Sequence, residues 1–185
     1  MARTKIEKVM DRLLTLYLVN ECHARHHVQD LSETKLQKLV FLSEKELIER
    51  GCKAFNYRFI RLLHPTHSQE LRNDLTDLVK LGYLEEPGYN KISKTDMILE
   101  DFGCIFRRNE YIIRIIDKIL SSYANIPTER LNDMVRDMPW RRGRKIKDIQ
   151  LRAPMTFPLR YKGAHSIFEI AEDELENVLI RLNLN

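Results

Sequence analysis

The sequence has no long hydrophobic run. Its longest apolar stretches, 13–19 and 111–116, are broken by polar or charged residues and fall far short of the ~20 residues that cross a bilayer, so no membrane span is expected. The first residues, Met1-Ala2-Arg3-Thr4-Lys5, lead into no apolar run with a small-residue cleavage site, so a signal peptide is not expected and cytoplasm is the expected compartment. Cysteine is scarce. Cys22, Cys52 and Cys104 are odd in number, far apart and outside any CxxC pair, which favours reduced packing thiols over a disulfide framework. Glycine and proline, at six each, are too few for a disordered or fibrous chain. Catalytic signatures are missing too: there is no GxSxG elbow, no GxxxxGK[ST] phosphate loop, no GxGxxG and no HExxH. Neither an enzyme nor a cofactor is expected.

What is present is the balance of a folded, water-compatible protein: 185 residues, 43% hydrophobic and 31% charged. That length suits one domain over 1–185, able to bury a core without disulfides or metals. Thirty-one Lys and Arg against twenty-seven Asp and Glu give only +4, so a nucleic-acid footprint has to come from local clustering.

Apolar residues at Ile6, Val9, Met10, Leu13, Leu16 and Tyr17 recur at helical spacing and predict a first helix over 4–20. Residues 22–30 form a polar, His-rich connector. Thr34, three residues before Gln37, predicts a capping box that opens a second, centrally placed helix over 34–50, stopped at Gly51. Residues 54–63 fit either strand or short helix. Pro65 breaks the chain, Thr66 and Ser68 offer N-caps, and Leu71, Leu75 and Leu78 stripe a helix that ends before Gly82. Two short β segments around Pro87-Gly88 then read as a hairpin over 83–93. A strongly apolar helix is predicted over 110–123. Another follows, capped by Thr128 and ended by Pro139. Residues 153–163 read as extended and 172–182 as a closing helix.

A helix ending in Leu81-Gly82-Tyr83-Leu84 and leading at once into a hairpin is the sequence form of a winged helix-turn-helix. The expected fold is therefore mainly α with a small β-hairpin wing. A winged-helix-like core would lie at about 34–95 and a helical, basic C-terminal extension at about 110–185. An ordinary αββ segment of an α+β domain is the other reading.

Three segments carry a family resemblance: Lys35-Leu36-Gln37-Lys38-Leu39, the Pro65-Thr66-His67-Ser68 turn before the next helix, and the Leu-rich helix from Leu131 to the pair Pro139-Trp140. Over roughly 34–140 the chain resembles the Panacea domain family, which includes the phage-associated SocA-like and the YwgA-like proteins. In that family Tyr-Gly-Pro stands where this chain has Leu63-His64-Pro65. The resemblance implies a non-enzymatic antitoxin or proteolytic adaptor that binds a partner protein such as a toxin.

Two surfaces suit nucleic acid. On the 68–80 helix, Gln69, Asn73, Thr76 and Lys80 lie opposite the leucine stripe. Gln and Asn can pair with adenine edges, while Arg72 and Lys80 can reach phosphate. Glu70, Asp74 and Asp77 outnumber Arg72 and Lys80 on that helix, which disfavours a polyanion, and a solvated face is the competing reading. Lys91 and Lys94 of the wing could add phosphate contacts. The second surface is Trp140 followed by Arg141, Arg142, Arg144, Lys145 and Lys147, a cluster without an acid that suits backbone contact and base stacking. There Trp140 as a core anchor beside a solvated loop is the competing reading. His23, His26 and His27, with Glu21, Cys22, His64 and His67, match no metal-site spacing, and no metal is expected. The leading expectation is thus a DNA-binding regulator, with the terminal helices as candidates for a homodimer interface.

Overall fold

A computed structural model describes residues 2–29, 31–63, 65–140, 143–155 and 166–184. The chain is mainly helical. Among these residues it forms α1 (Lys5–Ala24), α2 (Glu33–Glu49), α3 (Gln69–Lys80), α4 (Ser93–Asp101), α5 (Gly103–Arg108), α6 (Glu110–Tyr123), α7 (Thr128–Asp137) and α8 (Glu172–Arg181). No helix among them is long and apolar enough to cross a membrane.

α1 and α2 form the centre. Every residue of α1 from Val9 to Val19 is buried, as is every residue of α2 from Lys35 to Glu44. Burial on all sides requires that the polar residues in these stretches find partners, and the partners organise the rest of the fold. α1 opens with a capping box, Glu7 N–H donating to Thr4 Oγ1 (3.2 Å) and Thr4 N–H to Glu7 Oε2 (2.7 Å). It runs past the expected end at residue 20, so His23 stands in its last turn rather than in a connector. α2 is capped by Ser32, whose Oγ accepts from Lys35 N–H (3.3 Å), not by the expected Thr34–Gln37 box. Gln37 is used elsewhere, as described below.

The other helices pack on this pair. α6 lies along α2, and Tyr17 of α1 reaches it by donating to Asp117 Oδ1 (2.7 Å). α7 covers α2 with Leu131 and Val135, and α8 closes on α1 with Val178 and Leu182. Leu71, Leu75 and Leu78 of α3 are fully buried as the periodicity requires, each contributing about 1.5–3 kcal/mol.

Three two-stranded ribbons trim the bundle. β3 (Leu84–Glu85) and β4 (Asn90–Lys91) pair antiparallel as the expected hairpin. Two short strands precede α3: β1 (Cys52–Lys53), just before the ambiguous segment 54–63, and β2 (Phe59–Ile60) within it. β2 pairs antiparallel with β5 (Pro154–Met155), and β1 pairs parallel with β6 (Ser166–Ile167). The extended reading of 153–163 applies at Pro154–Met155, and residues 156–163 lie outside the described residues. Because β1, β2 and their connections separate α2 from α3, the two helices are not joined by the short turn of a helix-turn-helix.

A buried charge network sets the rotation of α3. Asp74 is 2% exposed; its Oδ1 accepts from Arg12 Nε (3.1 Å) and its Oδ2 from Arg3 Nη1 (2.7 Å) and Tyr57 OH (3.1 Å). Arg12 also donates to Asp77 Oδ2 (2.5 Å) and to the Leu182 carbonyl (3.0 Å), so α1, α3 and α8 meet at one guanidinium. Removing one partner of such a cluster strands the others. Asp74→Ala is expected to lower the unfolding free energy by about 3–5 kcal/mol in urea denaturation. Asp77→Ala, at a half-exposed carboxylate, should cost under about 1 kcal/mol. Equal effects of the two substitutions would show that the network does not anchor α3.

Candidate functional site

Asp74 turns inward and takes one of the three acids of α3 out of solvent. Asp77 follows toward Arg12, and Glu70 is held by Arg58, whose backbone N–H donates to Glu70 Oε2 (2.8 Å) and whose Nε donates to Oε1 (2.5 Å). The face left to solvent carries Gln69, Arg72, Asn73, Thr76 and Lys80, all exposed. Gln69 Nε2 donates to Asn73 Oδ1 (2.9 Å), Thr76 Oγ1 donates to the Arg72 carbonyl (3.0 Å), and Arg72 makes a loose pair with Glu33 of α2 (3.6 Å). The four residues expected opposite the leucine stripe, Gln69, Asn73, Thr76 and Lys80, are exposed together, and Arg72 joins them.

The wing lysines do not join them. Lys91 Nζ donates to Asn20 Oδ1 (2.9 Å) and Asp96 Oδ1 (2.8 Å), tying β4 to α1 and α4. Lys94 stands not on the hairpin but in the first turn of α4, because the helix begins at Ser93; its Nζ donates to the Leu81 carbonyl (2.6 Å) and lies 4.4 Å from the centroid of the Tyr83 ring. Both ammonium groups serve the hairpin's own attachment, a role that spacing in the sequence does not reveal.

In the basic loop, Trp140 stacks on Phe41 of α2 at 5.9 Å between centroids, so it anchors the loop to the core and is not a free platform for a base. Its N–H donates to the Arg144 carbonyl (2.7 Å), and Gly143 turns the loop at φ 73°. The cluster is also less basic than its run of residues implies. Asp137, at the end of α7, pairs with Lys147 (2.8 Å) and Lys145 (3.7 Å), and the hydrogen bond from Lys147 holds its carboxyl below the usual range. Arg144 is exposed, whereas Arg141 and Arg142 lie outside the described residues. Behind the loop, the buried Arg61 donates from Nε to the Ile146 carbonyl (3.2 Å), and its Nη1 has no hydrogen-bond partner among the described residues. Burial, with Arg136 nearby, pushes its pKa down.

His64 is outside the described residues, and among the described ones no group of three or more His, Cys, Asp or Glu is placed to hold a metal. Cys22 and Cys52 are buried free thiols, and burial pushes the Cys22 thiol up to about 12.

The segment before α3 holds what the sequence reading missed. Gln37 pairs with the Ser68 backbone as a strand would, Nε2 donating to the carbonyl (3.0 Å) and Oε1 accepting from the N–H (2.8 Å). Ser68 Oγ in turn caps α3 by accepting from Leu71 N–H (3.3 Å). One residue along α2, Lys38 is 1% exposed and its Nζ donates to the Thr66 carbonyl (3.0 Å). Thr66 is fully buried at φ 64°, a conformation that strains a β-branched residue by about 1–3 kcal/mol. The only sign of this arrangement in the sequence is Gln37-Lys38 within an otherwise apolar helix face.

Burial pulls Lys38 from its ordinary value of 10.5 to about 7, with Glu33 opposing the shift. The unfolded chain therefore binds more protons than the folded one between these two values. The resulting penalty is full below the lower value and is relieved as pH rises toward the upper. Lys38→Met should accordingly gain on the native protein by a few kcal/mol more at about pH 6 than at about pH 10, read from urea midpoints across the window. A difference in stability that does not vary with pH would show that the amine is not desolvated.

No family model, no curated protein and no solved structure matches the chain, so the likeness to the Panacea domain rests on the three segments that carry it.

Proposed function

We propose that the chain is a non-catalytic, winged-helix-like DNA-binding module in which α3 enters the major groove and the β3–β4 hairpin flanks it. The observation that carries this reading is the rotation of α3. With Asp74 buried and Asp77 and Glu70 engaged by arginines, the outward row of Gln69, Arg72, Asn73, Thr76 and Lys80 has no unpaired acid within it. The sequence-level objection to a polyanion is thereby removed. Gln69 and Asn73 can exchange their mutual hydrogen bond for adenine edges, Arg72 can leave its loose pair with Glu33 for guanine or phosphate, and Lys80 can meet phosphate. Arg144, exposed in the loop after Trp140, is a further cation suited to phosphate.

The alternative is an antitoxin or adaptor that docks a partner protein. It draws on Met97, Tyr111 and Ile180, apolar side chains that are each more than half exposed and that DNA does not require.

Fluorescence anisotropy on a duplex selected from a random pool tests the first reading. Binding should weaken steeply between about 50 mM and about 200 mM salt. Asn73→Ala should cost about 1–3 kcal/mol and relax preference at one base position. Arg72→Ala with Lys80→Ala should weaken all duplexes alike and flatten the salt slope. Lys91→Ala should leave DNA affinity unchanged, since its ammonium is already bound. Absence of duplex binding at low salt, together with stable co-purification of a partner protein, would replace this reading with the alternative.

A further inference from the structure

A cavity of about 460 Å³ lies between the first turns of α2 and the segment that leads into α3, with Leu151 and Arg152 on its far side. That volume is within the range of sites for small organic molecules, roughly 300–1,000 Å³. Two buried polar residues are among those that line it. One is Lys38, whose Nζ has one acceptor among the described residues, the Thr66 carbonyl, and so has donors to spare. The other is Thr66, whose Oγ1 is buried and has no hydrogen-bond partner among the described residues. The remaining wall is largely apolar, and its mouth is marked by Leu63, 81% exposed, and Leu151, 52% exposed. Glu33 at the margin faces Arg72 at 3.6 Å and makes no ion pair with Lys38.

A buried amine with no carboxylate in contact, an orphan hydroxyl beside it and two exposed leucines at the entrance are complementary to one kind of molecule. We propose that this cavity binds a small organic carboxylate with an apolar body, the carboxylate meeting Lys38 Nζ and Thr66 Oγ1 and the body lying along Leu62, Leu63 and Leu151. Binding supplies the counter-ion that Lys38 lacks, satisfies Thr66 and covers the leucines. Each group is costly to leave as it stands. The inference does not depend on DNA as the partner of α3.

The test is titration calorimetry on the full chain with 4-phenylbutyrate and octanoate as probes, and with 4-phenylbutyramide as the uncharged counterpart. Saturable binding of both acids is expected, with the amide weaker by at least about tenfold. Lys38→Met should abolish the preference for acid over amide. Leu63→Asp, a surface substitution that leaves the core intact, should weaken both acids by about tenfold by placing a negative, polar group at the mouth. No saturable binding of either acid, equal binding of acid and amide, or unchanged acid binding in either variant would each overturn the proposal.

Discussion

Asp74 sits almost out of contact with water between the guanidinium groups of Arg3 and Arg12, and its placement decides which way α3 is turned. A carboxylate in the middle of a helix that faces the interior must keep its partners, because a lone buried charge costs several kcal/mol. Arg12 is on α1 and Arg3 lies just before it, and α1 is itself fixed on all sides from Val9 to Val19. Rotation of α3 about its axis would break the ion pairs before it exposed a leucine. The pairing therefore specifies which polar residues face outward as well as holding two helices together. Arg12 extends the constraint to α8 through the Leu182 carbonyl, and Tyr57 extends it to the segment between α2 and α3.

That segment illustrates a second constraint. Residues 50–68 are largely irregular yet rich in buried positions, so their backbone N–H and C=O groups need partners that a sheet would normally supply. Side chains of α1 and α2 supply them. Asp11 accepts from Asn56 N–H (2.7 Å), Glu44 accepts from Phe55 N–H (3.1 Å), Gln37 pairs both ways with Ser68, and Lys38 donates to Thr66. Burial drives Asp11 up to about 7, and Arg3 and the Asn56 amide hold it back from rising further. On the opposite side of the bundle, Asn109 repeats the device. Its side chain donates to the Glu169 carbonyl and accepts from the Glu169 N–H, both at 2.8 Å, seating the chain between β6 and α8.

The helices that could be read from the sequence are those whose burial follows periodicity. Leu71, Leu75 and Leu78, the isoleucines of α6, and Ser68 and Gly82 at the ends of α3 each act through local rules, and they stand where those rules place them. What escaped reading was long-range. The spacing of Thr34 and Gln37 looks like a capping box, but Gln37 bonds to a residue on another element. The basic run after Trp140 looks undiluted because Asp137, which pairs with two of its lysines, precedes Trp140 on α7. Asp74 looks like a solvated acid because its partners, Arg3 and Arg12, lie more than sixty residues earlier, before and on α1. In each instance the role of a polar side chain is decided by a partner outside the local pattern in which it stands. Of the candidate site, the α3 row was legible, while the loss of the wing lysines and the buried pair Lys38–Thr66 were not.

The described residues between 61 and 68 belong to two structures at once, and this limits how far an event at one can reach the other. They wall the cavity through Leu62, Leu63, Thr66 and His67, and they end at Ser68, whose hydroxyl caps α3. The strained Thr66 is held from one side by Lys38, so a group that draws Lys38 Nζ toward itself weakens the contact that keeps φ at 64°. The disturbance then meets two restraints: Gln37, which grips the Ser68 backbone from both directions, and Asp74, which pins α3 near its middle.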